Sequence, residues 1–329
     1  MAGTGEVTTS EELAVLVRND FIESRHAGSV VVVDSRGNVL FSKGDPNALV
    51  FPRSAMKLFQ AMGIFSTGLE LSPTFTALAT SSHTGSAAHV ELVRELLATG
   101  GFTEADLKCA TEWPVNKDML KQVYKADGGA LPIYHCCSGK HAAMLLACKH
   151  EGWPTENYLD RDHPLQVRIL EAVEYLTGET ITSTAVDGCG APVHAMPLVA
   201  LASGVAKMHA ADDSTPMNIK KSADTLFQSM LANPWIVGDH GEPDVVIMEE
   251  LGFTAKSGYE GVFIVSTPDG TTVATKILDG NLRVAPIVAL QALVRAGALE
   301  QSKLDALIPR LHTDVYGGGK VVGELRTTF

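Results

Sequence analysis

Apolar positions along the chain fall into three stretches. Residues 29–42, SVVVVDSRGNVLFS, hold two β-branched apolar runs split by Asp34-Ser35-Arg36-Gly37-Asn38, the chemistry of a hairpin closed by a glycine turn. Strand-rich sequence returns at Asp244, first as DVVIMEE, then as Gly261–Val265, a Pro268-Asp269-Gly270 turn and Thr272–Leu278, which together predict a meander. Between these ends the spacing is helical: Leu58, Met62 and Phe65, then Val90, Val93, Leu96 and Leu97, then Met144, Leu145 and Cys148 recur at intervals that share one helix face. No repeat, low-complexity tract or long Gly/Ser or Pro linker divides the chain. Strands at both ends around a helical middle predict one α/β (α+β) folding unit with two lobes. A mainly antiparallel sheet would come from residues 1–52 and 237–329, a helical lobe from 53–236, and a cleft would lie between them.

A chain of 329 residues with 45% hydrophobic and 19% charged side chains can bury a large core and does not have the composition of a disordered protein. Its formal charge of -12 repels phosphate backbones and anionic bilayers, which argues against nucleic-acid or membrane-surface partners. No apolar run approaches the ~18–20 residues that span a bilayer, and MAGTGEVTTSEELAVLVRND lacks the basic and apolar regions of a signal peptide. The five cysteines, an odd number in a long chain, do not read as a disulfide framework. A reducing, cytoplasmic setting is the expectation.

Four short segments carry residue types that do chemistry. In Phe51-Pro52-Arg53-Ser54-Ala55-Met56-Lys57, a helix starting after Pro52 sets Ser54 and Lys57 one turn apart, so that a neutral lysine amine could take the proton of an attacking serine. The backbone N–H groups of such a helix start favour a developing oxyanion. Ser-x-x-Lys also recurs by chance in chains of this length. Thr80-Ser81-Ser82-His83-Thr84 is a hydroxyl-rich loop, and Lys256-Ser257-Gly258 precedes the Gly261 strand as the Lys-Thr-Gly triplet of penicillin-recognising enzymes does. Taken in order, the three reproduce the layout of a serine β-lactamase-like site. Ser82-His83-Thr84 lacks that class's asparagine, however, which weakens an antibiotic-hydrolase reading. Two lysines sharing one cleft would depress each other's pKa and leave one neutral.

The fourth segment, His135-Cys136-Cys137-Ser138-Gly139-Lys140-His141, begins an apolar helix, and Asp187-Gly188-Cys189-Gly190 forms a turn further on. Thiols at a helix start beside a lysine suit metal ligation or reactivity, though the spacing matches no standard zinc motif. No P-loop, dinucleotide fingerprint or G-x-S-x-G elbow is present.

Arg53-Ser54-Ala55-Met56-Lys57, Ser82-His83, Cys137-Ser138-Gly139-Lys140-His141, Asp187-Gly188-Cys189-Gly190, Lys256 and Asp279-Gly280-Asn281-Leu282 together resemble the rhizobial-type L-asparaginase II family, in order and over nearly the whole chain. The resemblance implies a serine β-lactamase-like fold, a small-molecule substrate, and hydrolysis of L-asparagine to L-aspartate and ammonia. It implies Ser54 as nucleophile with Lys57 as base, a second pair in Ser82 and Lys256, and zinc held by Cys137, Lys140 and Cys189. A lysine must lose its proton to coordinate, and His135 or His141 would be the choice from ligand chemistry alone. Cys136 stands where the family usually has asparagine, free to compete for metal or to oxidise. The substrate's α-carboxylate and α-ammonium ask for a cation and an anion. Arg53 and Asp187 are the candidates, with His83 beside Ser82 as a third substrate contact.

Two other readings use the same residues. One is a β-lactamase, peptidase or esterase built on Ser54; the other is a non-catalytic zinc or thiol sensor built on Cys136, Cys137 and Cys189. The sequence is compatible with a homodimer.

Overall fold

The computed structural model describes residues 3–329. Strand β1 (Glu11–Arg18) and the long β2 (Phe21–Val33) run antiparallel, and β3 (Val39–Lys43) folds back on the second half of β2. The turn joining β2 to β3 is the one expected from the sequence. The Asp34 carboxylate accepts the N–H groups of Arg36 and Asn38, and Gly37, at φ +84°, supplies the left-handed residue. The sheet continues on one side of β2 through Thr272–Ile277, Val262–Ser266 and the edge strand Thr254–Gly258, and beyond β1 through Lys320–Thr327 and Asp314–Gly317. Every pairing is antiparallel, so both chain ends build one sheet.

The central strands are buried on both faces: Val30, Val31, Val32 and Val33 are inaccessible, as is all of Thr272–Ile277 apart from a trace at Lys276. Helices Leu198–His209 and Ala285–Arg295 both pack on this pair of strands. Double-sided covering explains why these strands read as continuous apolar runs rather than alternating ones. The middle of the chain is helical. It includes α1 (Lys57–Phe65) and the helices Pro73–Leu78, Ala87–Thr99, Ser138–Glu151, Pro164–Thr177 and Ile219–Ala232. Among the described residues no helix is long and apolar enough to cross a membrane.

One expectation fails. DVVIMEE, predicted as the first strand of the meander, lies in the helix Pro243–Leu251. Proline at the first helical position, an acid in the first turn and a left-handed glycine, Gly252, closing the C-terminus together specify a helix. These end signals outweigh the β-branched Val245-Val246-Ile247, whose unbroken apolar run is compatible with either element. The helix packs on the edge strand Thr254–Gly258 and so delivers Asp244 to that edge.

Candidate active site

The Ser54 segment is a short 3-10 turn, Arg53–Met56, leading into α1. Arg53 has φ +53°, a conformation that costs a non-glycine residue energy and persists where the surroundings impose it. The surroundings here are ionic: Arg53 Nε donates to Asp187 Oδ1 at 2.6 Å, and its guanidinium lies over the Tyr259 ring. The turn is pressed against the edge strand. A Cβ on Gly258 would stand 2.3 Å from the Pro52 carbonyl oxygen, so only glycine lets Lys256-Ser257-Gly258 lie alongside Ser54. The Ala55 N–H donates to the Pro52 carbonyl, so that amide is not free for an oxyanion as the helix-start argument expected.

Two lysines converge on one hydroxyl. Lys57 Nζ is 2.9 Å and Lys256 Nζ 3.0 Å from Ser82 Oγ, and both lysines are essentially inaccessible. Lys57 also donates to the Ser81 carbonyl. No hydrogen bond joins Lys57 to Ser54 among the described residues, in contrast to the contact predicted from their spacing. A three-residue offset aligns two Cα positions, but the four-carbon lysine stem carries the amine past Ser54 to the loop at 81–82. Lys256 Nζ further donates to the Ser257 carbonyl and lies 3.7 Å from the buried Asp244 carboxylate, which accepts the Ser257 hydroxyl at 2.9 Å. Burial pushes Lys256 down to about 8; Asp244 opposes the shift and Lys57 adds to it. A lysine in that range exchanges protons near neutral pH.

Ser54 and Ser82 line a common cavity of about 190 Å³ with Asp244, Ser257, Tyr259 and Cys136. A second cavity of about 350 Å³ adjoins it through Ser54, Cys136 and Tyr259 and is walled by Arg53, Asp187, Cys137 and Cys189. Arg53 and Asp187, predicted as separate anchors, are thus paired with each other. His83 is buried, its Nδ1 accepting the Gly85 N–H and its Nε2 facing Ser138 Oγ at 2.9 Å. Burial and the adjacent His89 hold it well below the usual histidine range, so its ring is neutral and both nitrogens are engaged.

The thiol group is equally compact. Lys140 Nζ lies 3.2 Å from Cys189 Sγ, and Cys136 Sγ 3.8 Å from Cys137 Sγ. Hydrogen bonds from Cys136 and Cys189, with help from Lys57 and Lys140, hold the Cys137 thiol well below its ordinary range despite burial, and the same bonds push the Cys136 and Cys189 thiols up. Burial lowers Lys140, but the sulfurs of Cys189 and Cys137 more than reverse this and raise it overall. A soft cation among these donors would replace the shared protons and release that of Lys140, because a bound ion inverts the local charge logic. The ligand atoms of His135, Cys136 and Cys137 all lie within 4.8 Å of one another. Of the two histidines that ligand chemistry would favour, His135 uses its Nδ1 to accept the Cys137 N–H at 3.0 Å, and His141 is buried against the Tyr158 hydroxyl.

Asp244, Tyr259 and Glu112, which accepts the Cys136 N–H, belong to none of the sequence motifs. Asp244 had a usable signal, an acid directly after a proline in Glu242-Pro243-Asp244, the pattern of a helix start.

The family model for L-asparaginase II matches residues 14–327 of the chain. No curated protein matches it. Among solved structures, the crystal structure of a beta-lactamase from Mycobacterium bovis is similar over 82% of this chain and 94% of that one, with 13% identity and a TM-score of 0.42.

Proposed function

This chain belongs to the L-asparaginase II family, and from that premise we propose that it hydrolyses the side-chain amide of L-asparagine to L-aspartate and ammonia through an acyl-enzyme on Ser54. The observation that carries the mechanism is the Ser82 hydroxyl held between the amines of Lys57 and Lys256 beside Ser54. Ser54 Oγ attacks the amide carbon, and its proton passes to the lysine pair, with Ser82 as the bridge between the two amines. The resulting ammonium returns a proton to the amide nitrogen as the C–N bond breaks, and ammonia leaves. Water then attacks the ester, giving its proton to the same pair, and Ser54 is released with its proton restored. With Lys256 near 8, its amine can be neutral and accept a proton close to neutral pH.

Arg53 and Asp187, paired through one guanidinium nitrogen and one carboxylate oxygen, offer their remaining atoms as neighbouring positive and negative partners for the amino-acid head group. Cys137, Lys140 and Cys189 fit a zinc ion by chemistry: two sulfurs, one already favouring the thiolate, and an amine. Zinc bound there would hold these three side chains together and would supply a Lewis acid beside the pocket that adjoins Ser54. A second reading, with Ser82 carrying the acyl group, is favoured by its two amine contacts. Ammonia release from L-asparagine by the purified chain, measured against nitrocefin turnover and with and without chelator, tests the proposal. Nitrocefin hydrolysis without ammonia would favour the β-lactamase-type alternative, and neither activity would leave the sensor.

A further inference from the structure

The cavity of about 350 Å³ beside Ser54 is walled by one permanent cation, Arg53, and by two carboxylates, Asp187 and Glu112. Arg53 and Asp187 offset each other through their 2.6 Å contact, and Asp187 Oδ1 also accepts the Gly188 N–H. Glu112 has no such cation. His135 Nδ1, 4.0 Å from its Oε2, accepts the Cys137 N–H and so brings no proton to the pair. Among the described residues Glu112 Oε1 takes part in no hydrogen bond. The half-buried Glu112 is therefore the uncompensated charge of this pocket, and it calls for a cation.

The residue is also held in place. Its backbone exchanges hydrogen bonds with Leu131 in both directions, at 3.2 and 3.1 Å, and its Oε2 accepts the Cys136 N–H at 3.2 Å. One oxygen anchors the side chain, which leaves the other for a ligand at little further cost in side-chain freedom. We infer that Glu112 binds the α-ammonium of the substrate while Arg53 takes its α-carboxylate, and that Glu112 thereby selects free amino acids over amides that lack the amine. This deepens the asparaginase reading above and rests on it.

Ser54 borders both cavities, so an asparagine with its amide carbon at Ser54 could point its head group into either. The smaller cavity does not suit it. Its Asp244 is committed to the Ser257 hydroxyl and to Lys256, and among the described residues no arginine or lysine lines it to take the carboxylate. On the Glu112 side both partners are present. Contacts at the amide carbon, the carboxylate and the ammonium together fix the handedness of the substrate, because a D enantiomer held by the first two directs its amine away from Glu112. An N-acylated or peptide-linked asparagine has no ammonium and leaves Glu112 unpaired.

Ammonia release from L-asparagine and from succinamate, which is asparagine without its α-amino group, tests this in the full-length chain. Glu112→Gln removes the charge but keeps an oxygen for the Cys136 N–H. It should lower kcat/KM for asparagine relative to succinamate by about tenfold, the low end for a hydrogen bond to a charged group, and mainly through KM. Glu260→Gln, which removes an exposed carboxylate 4.0 Å from Arg53 Nη1, should leave that ratio unchanged. Calorimetric titration with L-aspartate and with succinate reads the same contact without turnover: the unsubstituted protein should prefer aspartate, and Glu112→Gln should cut that preference by about tenfold. Equal losses on both substrates in Glu112→Gln, or a ratio that shifts as much in Glu260→Gln, would overturn the inference. So would an unsubstituted protein that binds aspartate no more tightly than succinate. A Glu112-dependent preference for aspartate in a chain that releases no ammonia would support this contact and refute the hydrolysis reading instead.

Discussion

Replacing Asp244 by asparagine should move the acid limb of the kcat/KM pH profile downward. The Asp244 carboxylate lies 3.7 Å from Lys256 Nζ, both groups are buried, and its charge raises the lysine's pKa against the burial that lowers it to about 8. At an effective dielectric of about 20, a unit pair at that separation interacts by about 4 kcal/mol, equivalent to about 3 pKa units. Part of this returns when the charge is removed. Water and neighbouring polar groups that reorganise around the uncharged amide supply that offset. The net expectation is a fall of about 1 to 2 units. If a neutral Lys256 must accept a proton, activity in the wild type rises as pH passes through about 8, and in Asp244→Asn it rises at correspondingly lower pH. Asparagine keeps an oxygen for the Ser257 hydroxyl, so the geometry is largely spared. Ser257→Ala, which removes that hydrogen bond but keeps the charge, is the control and should leave the limb in place. Initial rates of ammonia release between pH 5.5 and 9.5, roughly the span over which a shifted lysine titrates, read the effect. An acid limb that does not move in Asp244→Asn, or that moves equally in Ser257→Ala, refutes the electrostatic link between Asp244 and Lys256.

Three further outcomes are expected. Ser82→Ala removes the hydroxyl between Lys57 and Lys256 and should lower kcat by roughly the 10²- to 10⁴-fold associated with general acid–base catalysis, measured at saturating asparagine. Gly258→Ala places a methyl 2.3 Å from the Pro52 carbonyl oxygen; thermal denaturation should show a loss of about 1–3 kcal/mol, with activity falling as the strand withdraws from the Ser54 turn. Arg53→Ala, which breaks the pair with Asp187, should raise KM for asparagine more than it lowers kcat, and an unchanged KM would remove Arg53 from substrate binding.

The elements legible in the sequence are those whose local chemistry and burial agree. The Asp34–Asn38 turn, the Gly261–Leu278 region and α1 all announce themselves through turn residues or face periodicity. The helix at Pro243–Leu251 reads as a strand because its apolar run has no polar interruption, and its identity lies in its ends. The C-terminal strands leave no clear trace, because Asp314–Gly317 at the sheet edge and its neighbour Lys320–Thr327 both carry mostly exposed side chains and hence little buried face to impose alternation. In the candidate site, motif order pointed to Ser54, Ser82, Lys57 and Lys256, and the structure brings Ser54 and Ser82 to one cavity and both amines to Ser82. Which hydroxyl each amine reaches depends on loop placement and side-chain reach, neither of which is written in spacing. Asp244 joins Lys256 only through packing of a helix on a sheet edge, a long-range contact with no local signature.

The central claim concerns which oxygen becomes acylated, and mass spectrometry of the protein quenched in acid during turnover of L-asparagine addresses it directly. The account predicts an aspartyl ester mapping to the peptide that contains Ser54 and absent from Ser54→Ala, with ammonia release lost in that variant. Ammonia release at the wild-type rate by Ser54→Ala, or an ester found on Ser82 instead, would contradict it.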